Sequence, residues 1–315
     1  MPAGVDVSIL DRRLVFVTGK GGVGKTSIAA ALAHLAAQRG KRTLVCEMDA
    51  KGSLAAAFDV GSLKFQPRQI EPNLFAMTMT TEDALKEYLR LFVKLPLIGR
   101  IGPLARTFDF LADAAPGVRE ILVIGKLCYE VRERHYDIVI VDAEATGHIV
   151  SQIGAPTTIR EMAQVGLVRD QTDWMLKVLH DTSVTGVAVV TTPEEMPVTE
   201  TLALLERLER ETGVAPTSLI ANRVLPNLFE GPQRDVADRL AEMLPLIKSE
   251  AGRGASAVLE AARITEARRQ IGAGHLDRLR AESDLPMLCV PELFTRATGR
   301  RVVTLVADAL DEKVG

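Results

Sequence analysis

The sequence predicts an α/β protein in which a doubly wound, mostly parallel sheet is flanked by helices. Three observations predict it: short apolar, β-branched runs recur along the chain, longer stretches with helical periodicity separate them, and the first run leads directly through a glycine-rich turn into a helix. The expected strands are 14–18 (LVFVT), 43–48 (TLVCEM), 137–142 (DIVIVD), 186–192 (GVAVVTT), 217–223 (TSLIANR) and 286–290 (PMLCV). Their unbroken apolar character suits strands covered on both faces, the setting of a parallel sheet. Between them, "TSIAAALAHLAAQRG" reads as an alanine-rich helix stopped by Gly40, and "ETLALLERLERETG" as an amphipathic helix stopped by Gly213. At 191–201, "TTPEEMPVTET" reads as a helix start with Thr192 as N-cap, Pro193 at the first position and Glu195 closing a capping box.

Composition narrows the function classes. A chain of 315 residues buries a substantial core, and with no internal repeat or Pro/Gly-rich linker it is expected to form one domain carrying insertions. The 38 basic and 41 acidic residues leave a net charge of −3, so no global field gathers nucleic acid or anionic lipid. Apolar residues make up 47%, yet no uncharged run approaches the ~18 to 20 residues that span a bilayer. "MPAGVDVSILDRR" lacks the basic-then-apolar pattern of an export signal, so a soluble cytoplasmic protein is expected. Cys46, Cys128 and Cys289 are scattered and form no CxxC, which argues against a disulfide framework or a zinc site.

The glycine-rich turn carries the chemistry. Gly19-Lys20-Gly21-Gly22-Val23-Gly24-Lys25-Thr26 fits G-x-x-x-x-G-K-[ST], after an expected strand and before an expected helix, with Ser27 next in line. Glycines let backbone N–H groups turn inward, and the helix N-terminus adds partial positive charge, so phosphates bind there. Lys25 is placed to reach the β- and γ-phosphates and Thr26 to ligate Mg²⁺. Two carboxylates stand at expected strand ends: Asp49, suited to orient attacking water or to hold Mg²⁺ through water, and Asp142, suited to hold Mg²⁺ through water.

The full string "GKGGVGKT" resembles the deviant Walker A signature of a dimeric branch of P-loop ATPases. That branch includes septum-site and plasmid-partition ATPases, nitrogenase iron protein, arsenite-pump ATPases and the tail-anchored-protein targeting factor. The resemblance implies the P-loop NTPase fold, and a role for Lys20 in reaching across a dimer interface to a partner's phosphates. "MDAKGSLAAAF" (48–58) resembles switch I of the arsenite-pump and targeting ATPases, Asp-Pro-Ala-His-Asn/Ser-Leu-Ser/Ala-Asp; Asp49, Ser53 and Leu54 match, while Ala50, Lys51, Gly52 and Ala56 depart. "DAEATGH" resembles their switch II, Asp-Thr-Ala-Pro-Thr-Gly-His; Asp142, Thr146, Gly147 and His148 carry over, and Ala143, Glu144 and Ala145 do not. "APGVREIL" resembles their Pro-Gly-x-x-Glu segment. Asn222, and the turn holding Pro291 and Glu292, stand where the family surrounds adenine, which favours ATP over GTP. Glu194 occupies the place of a family Pro-Glu near the nucleotide.

The resemblance further implies ATP and Mg²⁺ as cofactors and a homodimer or a heterodimer with a paralogous ATPase; the targeting factor's dimer-bridging CxxC is absent, so no structural zinc is expected. No nucleic-acid partner and no membrane span of its own are expected. Helical insertions at 81–126 and 157–182 are expected to form a subdomain for a hydrophobic or membrane-protein client. The first carries an apolar stripe, Leu85, Tyr88, Leu89, Phe92 and Leu95, followed by Leu97, Ile98, Ile101, Leu104, Phe108 and Phe110; the second carries Met162, Trp174 and Met175. The same stripe also reads as core. Three functions follow: an ATP-driven switch that binds and releases a client, a slowly hydrolysing regulatory interaction protein, or the energising subunit of an anion-export pump.

Overall fold

The computed structural model describes residues 8–90, 117–162, 166–227, 239, 252–311 and 314. Its strands are β1 (Leu14–Gly19), β2 (Thr43–Glu47), β3 (Arg68–Glu71), β4 (Leu74–Thr78), β5 (Ile138–Ala145), β6 (Thr185–Thr191), β7 (Pro216–Val224) and β8 (Met287–Pro291). They form one sheet in the order β3-β4-β2-β5-β1-β6-β7-β8. Its strand pairs are parallel except at one edge, where β3 runs antiparallel to β4. The six apolar runs all form strands, with ends shifted by a few residues.

The β3–β4 hairpin was not expected from the sequence. β3 is exposed or half-buried along its length, so it has no apolar run to announce it. β4 follows a turn at Asn73 (φ 60°) and buries Leu74, Ala76 and Met77 beside β2. Its order comes from that neighbour rather than from its own pattern.

The helices are α1 (Lys25–Gln38), α2 (Ser53–Ala57), α3 (Thr81–Tyr88), α4 (Val118–Arg132), α5 (Thr146–Met162), α6 (Leu167–Leu179), α7 (Glu195–Thr212), α8 (Gly252–Glu282) and α9 (Arg300–Asp311). They cover both faces of the sheet, and β1 divides its side chains between the two cores. Leu14 and Phe16 join the core under α4, α5 and α7, while Val15 and Val17 join the core under α1 and α9. The alanines of α1 are buried, and their small size lets the helix lie close to the sheet with α2 and α9 packed beside it. α1 stops as expected ahead of Gly40 (φ 84°), and α7 ends on Gly213 in the left-handed conformation.

The expected capping box at 192–195 does not form. α7 starts at Glu195 with Glu194 as N-cap, and no side chain caps it. The Glu194 N–H bonds the Thr192 carbonyl instead, so the backbone turn leaves Pro193 outside the helix.

The apolar stripe of the first insertion divides in two. Leu85 and Tyr88 lie on α3, half-buried against the core, and Leu89 follows directly; Phe92 through Phe110 lie outside the described residues. In the second, Met162 ends α5 exposed, whereas Trp174 and Met175 on α6 pack into the core. Among the described residues no helix is long and apolar enough to cross a membrane.

Candidate functional site

In a parallel sheet the strands' C-terminal ends gather on one edge, and the sequence motifs converge there. Gly19 ends β1 at φ 149°, and a Cβ on it would lie 2.1 Å from the Val190 carbonyl oxygen of β6. Gly24 leads into α1 at φ 93°, where a Cβ would meet Asn222 Nδ2 at 2.4 Å. Both positions therefore need glycine for space as well as for backbone angle. No side chain caps α1, so its first-turn N–H groups remain available to an anion. Lys25 Nζ folds back to 3.3 Å from the Lys20 carbonyl oxygen.

The Thr26 hydroxyl donates to Asp142 Oδ2 at 2.7 Å. Asp142 is buried within β5, and its pKa is pushed up to about 6, mainly by burial; Glu47 and Asp49 add to the rise, and Thr26 and Lys25 oppose it. The Lys25 ammonium is held below its ordinary value, chiefly by burial, with Asp142 opposing. Glu47 ends β2 in register with Asp142 and is equally buried. One of its oxygens accepts from the N–H groups of Ser53 (2.8 Å) and Leu54 (3.4 Å), and Oε2 has no hydrogen-bond partner. A hydroxyl and two neighbouring carboxylates, one with a buried unpartnered oxygen, form a hard-oxygen donor set that fits Mg²⁺.

The two segments that resemble switch I and switch II flank this centre. Asp49 is exposed two residues beyond β2 and pairs with Lys51. Ser53 opens α2, its N–H held by Glu47. Beyond Asp142, β5 runs on to Ala145, and Thr146 and Gly147 form the start of α5. The Thr18 hydroxyl donates to the Glu144 carbonyl at 3.0 Å, which ties the end of β1 to this segment. His148 is exposed, 3.9 Å from Glu144. Lys20 is engaged within its own chain: Nζ donates to Glu200 Oε1 on α7 at 2.6 Å, and the Thr146 hydroxyl reaches Glu200 Oε2 at 3.5 Å.

A sequence model of the anion-transporting ATPase family matches residues 12–175 and 160–239, which include the loop and both carboxylates. The chain belongs to that family. It is similar to the ATPase BagA of Mycobacterium tuberculosis, 34% identical over 230 residues that cover 69% of this chain and 67% of that one. The putative arsenical pump-driving ATPase 2 of Aquifex aeolicus is 28% identical over 251 residues, covering 70% and 82% of the two chains. An ASNA1 homologue of Paramecium tetraurelia is 35% identical over 153 residues, 47% of this chain and 44% of its own.

In this member of the anion-transporting ATPases, the expected base-binding residues sit on the β7–β8 side of the loop. Asn222 is buried, donating from Nδ2 to the Val23 carbonyl at 2.8 Å while its Oδ1 accepts from the Arg223 N–H. One amide N–H is thus spent on holding the phosphate loop. Pro291 ends β8, and the Glu292 N–H bonds the Val224 carbonyl at 2.9 Å. Glu194, Arg223, Glu292 and Phe294 line a cleft of about 460 Å³ that α8 completes through Arg268 and His275.

Sequence reasoning missed Glu47 and Glu200. Glu47 carried one signal, an acidic residue closing an apolar strand. Glu200 carried none, since it sits among other acids on the polar side of α7 and meets Lys20 only in the folded chain.

Proposed function

We propose that the chain is a Mg²⁺-ATP-dependent ATPase acting as a dimeric switch, which binds and releases a hydrophobic or membrane-associated client. The observation that carries this reading is the Thr26–Asp142 hydrogen bond at the mouth of a glycine loop whose lysine is half-buried. Backbone N–H groups of Gly19–Gly24 and the first turn of α1 bind the phosphates, and Lys25 neutralises the β- and γ-oxygens. Thr26 and Asp142 hold Mg²⁺, which offsets phosphate charge when bound. Asp49 orients the attacking water. The cleft beside Asn222, Pro291 and Glu292 accommodates the base.

Lys20 is read as the residue supplied to a second subunit, a copy of this chain or a paralogue. Its bond to Glu200 is then the resting arrangement, and Thr146 on the same carboxylate links that rest position to switch II. The client reading draws support from an apolar cleft of about 250 Å³ between α3, α4 and α6, lined by Leu85, Tyr88, Leu89, Ile121 and Met175. On this reading the whole chain is one ATPase domain, with α3, α4 and α6 as its client-binding side.

Asp49→Asn protein tests the assignment. ATP binding is expected to stay within about twofold, while turnover falls by about 100-fold or more, the scale of a lost water-orienting group. Undiminished turnover would remove Asp49 from the mechanism, and negligible wild-type turnover with tight ATP binding would favour a regulatory binding protein instead.

A further inference from the structure

Lys51 sits where the matching family pattern has alanine, between two residues with unusual backbone. Ala50 has φ 47° and Gly52 has φ 78°, both in the left-handed region. Proline, the pattern residue at 50, is locked near φ −65° and cannot adopt this turn. The turn folds Lys51 back so that its ammonium meets the Asp49 carboxylate.

The segment is anchored on both sides. The Met48 N–H bonds the Asp142 carbonyl at 3.1 Å, and Glu47 holds the N–H groups of Ser53 and Leu54. Only the tip, residues 49–52, stands clear, with the Lys51 side chain 70% and the Asp49 side chain 44% exposed. The Met48–Asp142 bond seats this tip beside the strand whose Asp142 accepts from Thr26, so the Asp49–Lys51 pair stands at the same sheet edge as the phosphate loop. A polyanion held by that loop would attract the Lys51 ammonium.

We propose that Lys51 is a phosphate-contacting catalytic residue of switch I, which exchanges Asp49 for the terminal phosphate of bound ATP and so frees the Asp49 carboxylate to hold the attacking water. The proposal rests on the nucleotide reading above. An exposed ion pair is a weak tie, whereas an ammonium on a phosphate oxygen makes a charge-assisted hydrogen bond that strengthens as water leaves the site. The exchange therefore runs toward the phosphate. No bond is made or broken by Lys51 itself; it supplies positive charge where the γ-phosphate gathers negative charge. ADP lacks that phosphate, so Lys51 returns to Asp49 after release.

The test is calorimetric titration of ATP and ADP, with Mg²⁺, into wild-type, Lys51→Ala and Lys51→Arg proteins, together with turnover. Lys51→Ala is expected to weaken ATP by about tenfold, to change ADP by less than about twofold and to slow turnover, with Lys51→Arg recovering most of the loss. Unchanged ATP affinity in Lys51→Ala, or an equal loss for both nucleotides, overturns the proposal. Faster turnover in Lys51→Ala also overturns it, because Lys51 would then only restrain Asp49. If the wild-type protein binds neither nucleotide, the nucleotide reading itself fails, an outcome distinct from a normal wild type with an indifferent variant.

Discussion

The phosphate loop after β1 and the switch loop after β2 leave the same sheet edge on either side of β5, and both use left-handed backbone. In the first, two of the three positive-φ glycines are hemmed in: Gly19 lies against a β6 carbonyl and Gly24 against Asn222, and the Val23 carbonyl is bonded from β7. In the second, the space beside Gly52 is open, and Asp49 and Lys51 stand in solvent. Packing admits only glycine at Gly19 and Gly24, whereas Gly21 and Gly22 are exposed with open space beside them. The open switch tip tolerates replacement, and there Ala50, Lys51 and Gly52 depart from the pattern. Enclosure dictates the residue at Gly19 and Gly24; at Gly22 the backbone angle (φ 89°) does so instead.

Substitutions can break that comparison. The largest effect is expected for Gly19→Ala, because the added methyl would meet a backbone oxygen of the central sheet that has nowhere to move. A loss of about 3 kcal/mol or more, or failure to fold, should appear in denaturant unfolding. A loss below about 1 kcal/mol would show that the β1–β6 junction yields and that the enclosure argument is wrong.

Asp142→Asn probes the cost of keeping a carboxylate in the enclosed part. A carboxyl whose folded pKa is raised contributes stability that is present below its unfolded value and lost as pH rises through the folded one. For Asp142 that window runs from 3.8 to about 6. Nucleotide-free Asp142→Asn protein should therefore be more stable than wild type at neutral pH by on the order of 2–3 kcal/mol, with the gap closing toward pH 4. Parallel melting-temperature curves for the two proteins between pH 4 and 7 would rule this out.

The smallest effect is expected at Gly52→Ala, which meets the backbone penalty at φ 78° without any clash. About 1 kcal/mol of stability should be lost, with ATP binding kept. A loss as large as that of Gly19→Ala would erase the difference between the two loops.

Much of this molecule was legible before folding. Six apolar runs became strands, Gly40 and Gly213 marked helix ends, and the phosphate loop stood in its strand–loop–helix setting. These features rest on local periodicity and local backbone angles, which neighbouring residues carry among themselves. The capping box failed because a backbone turn ties the Glu194 N–H to the Thr192 carbonyl, so the helix begins at Glu195 rather than at Pro193.

By itself, the sequence determined the fold class, the covered parallel sheet and the strand–glycine loop–helix unit, because each follows from residues close together in the chain. Only the tertiary structure decided what those residues meet. Thr26 reaches Asp142 across 116 positions, Lys20 reaches Glu200 across 180, and Asn222 reaches the loop across 199. Pairings of that span depend on strand order, which no local pattern encodes. The β3–β4 edge and the buried Glu47 beside Asp142 belong to the same class: each is held by a partner that only the assembled sheet brings near.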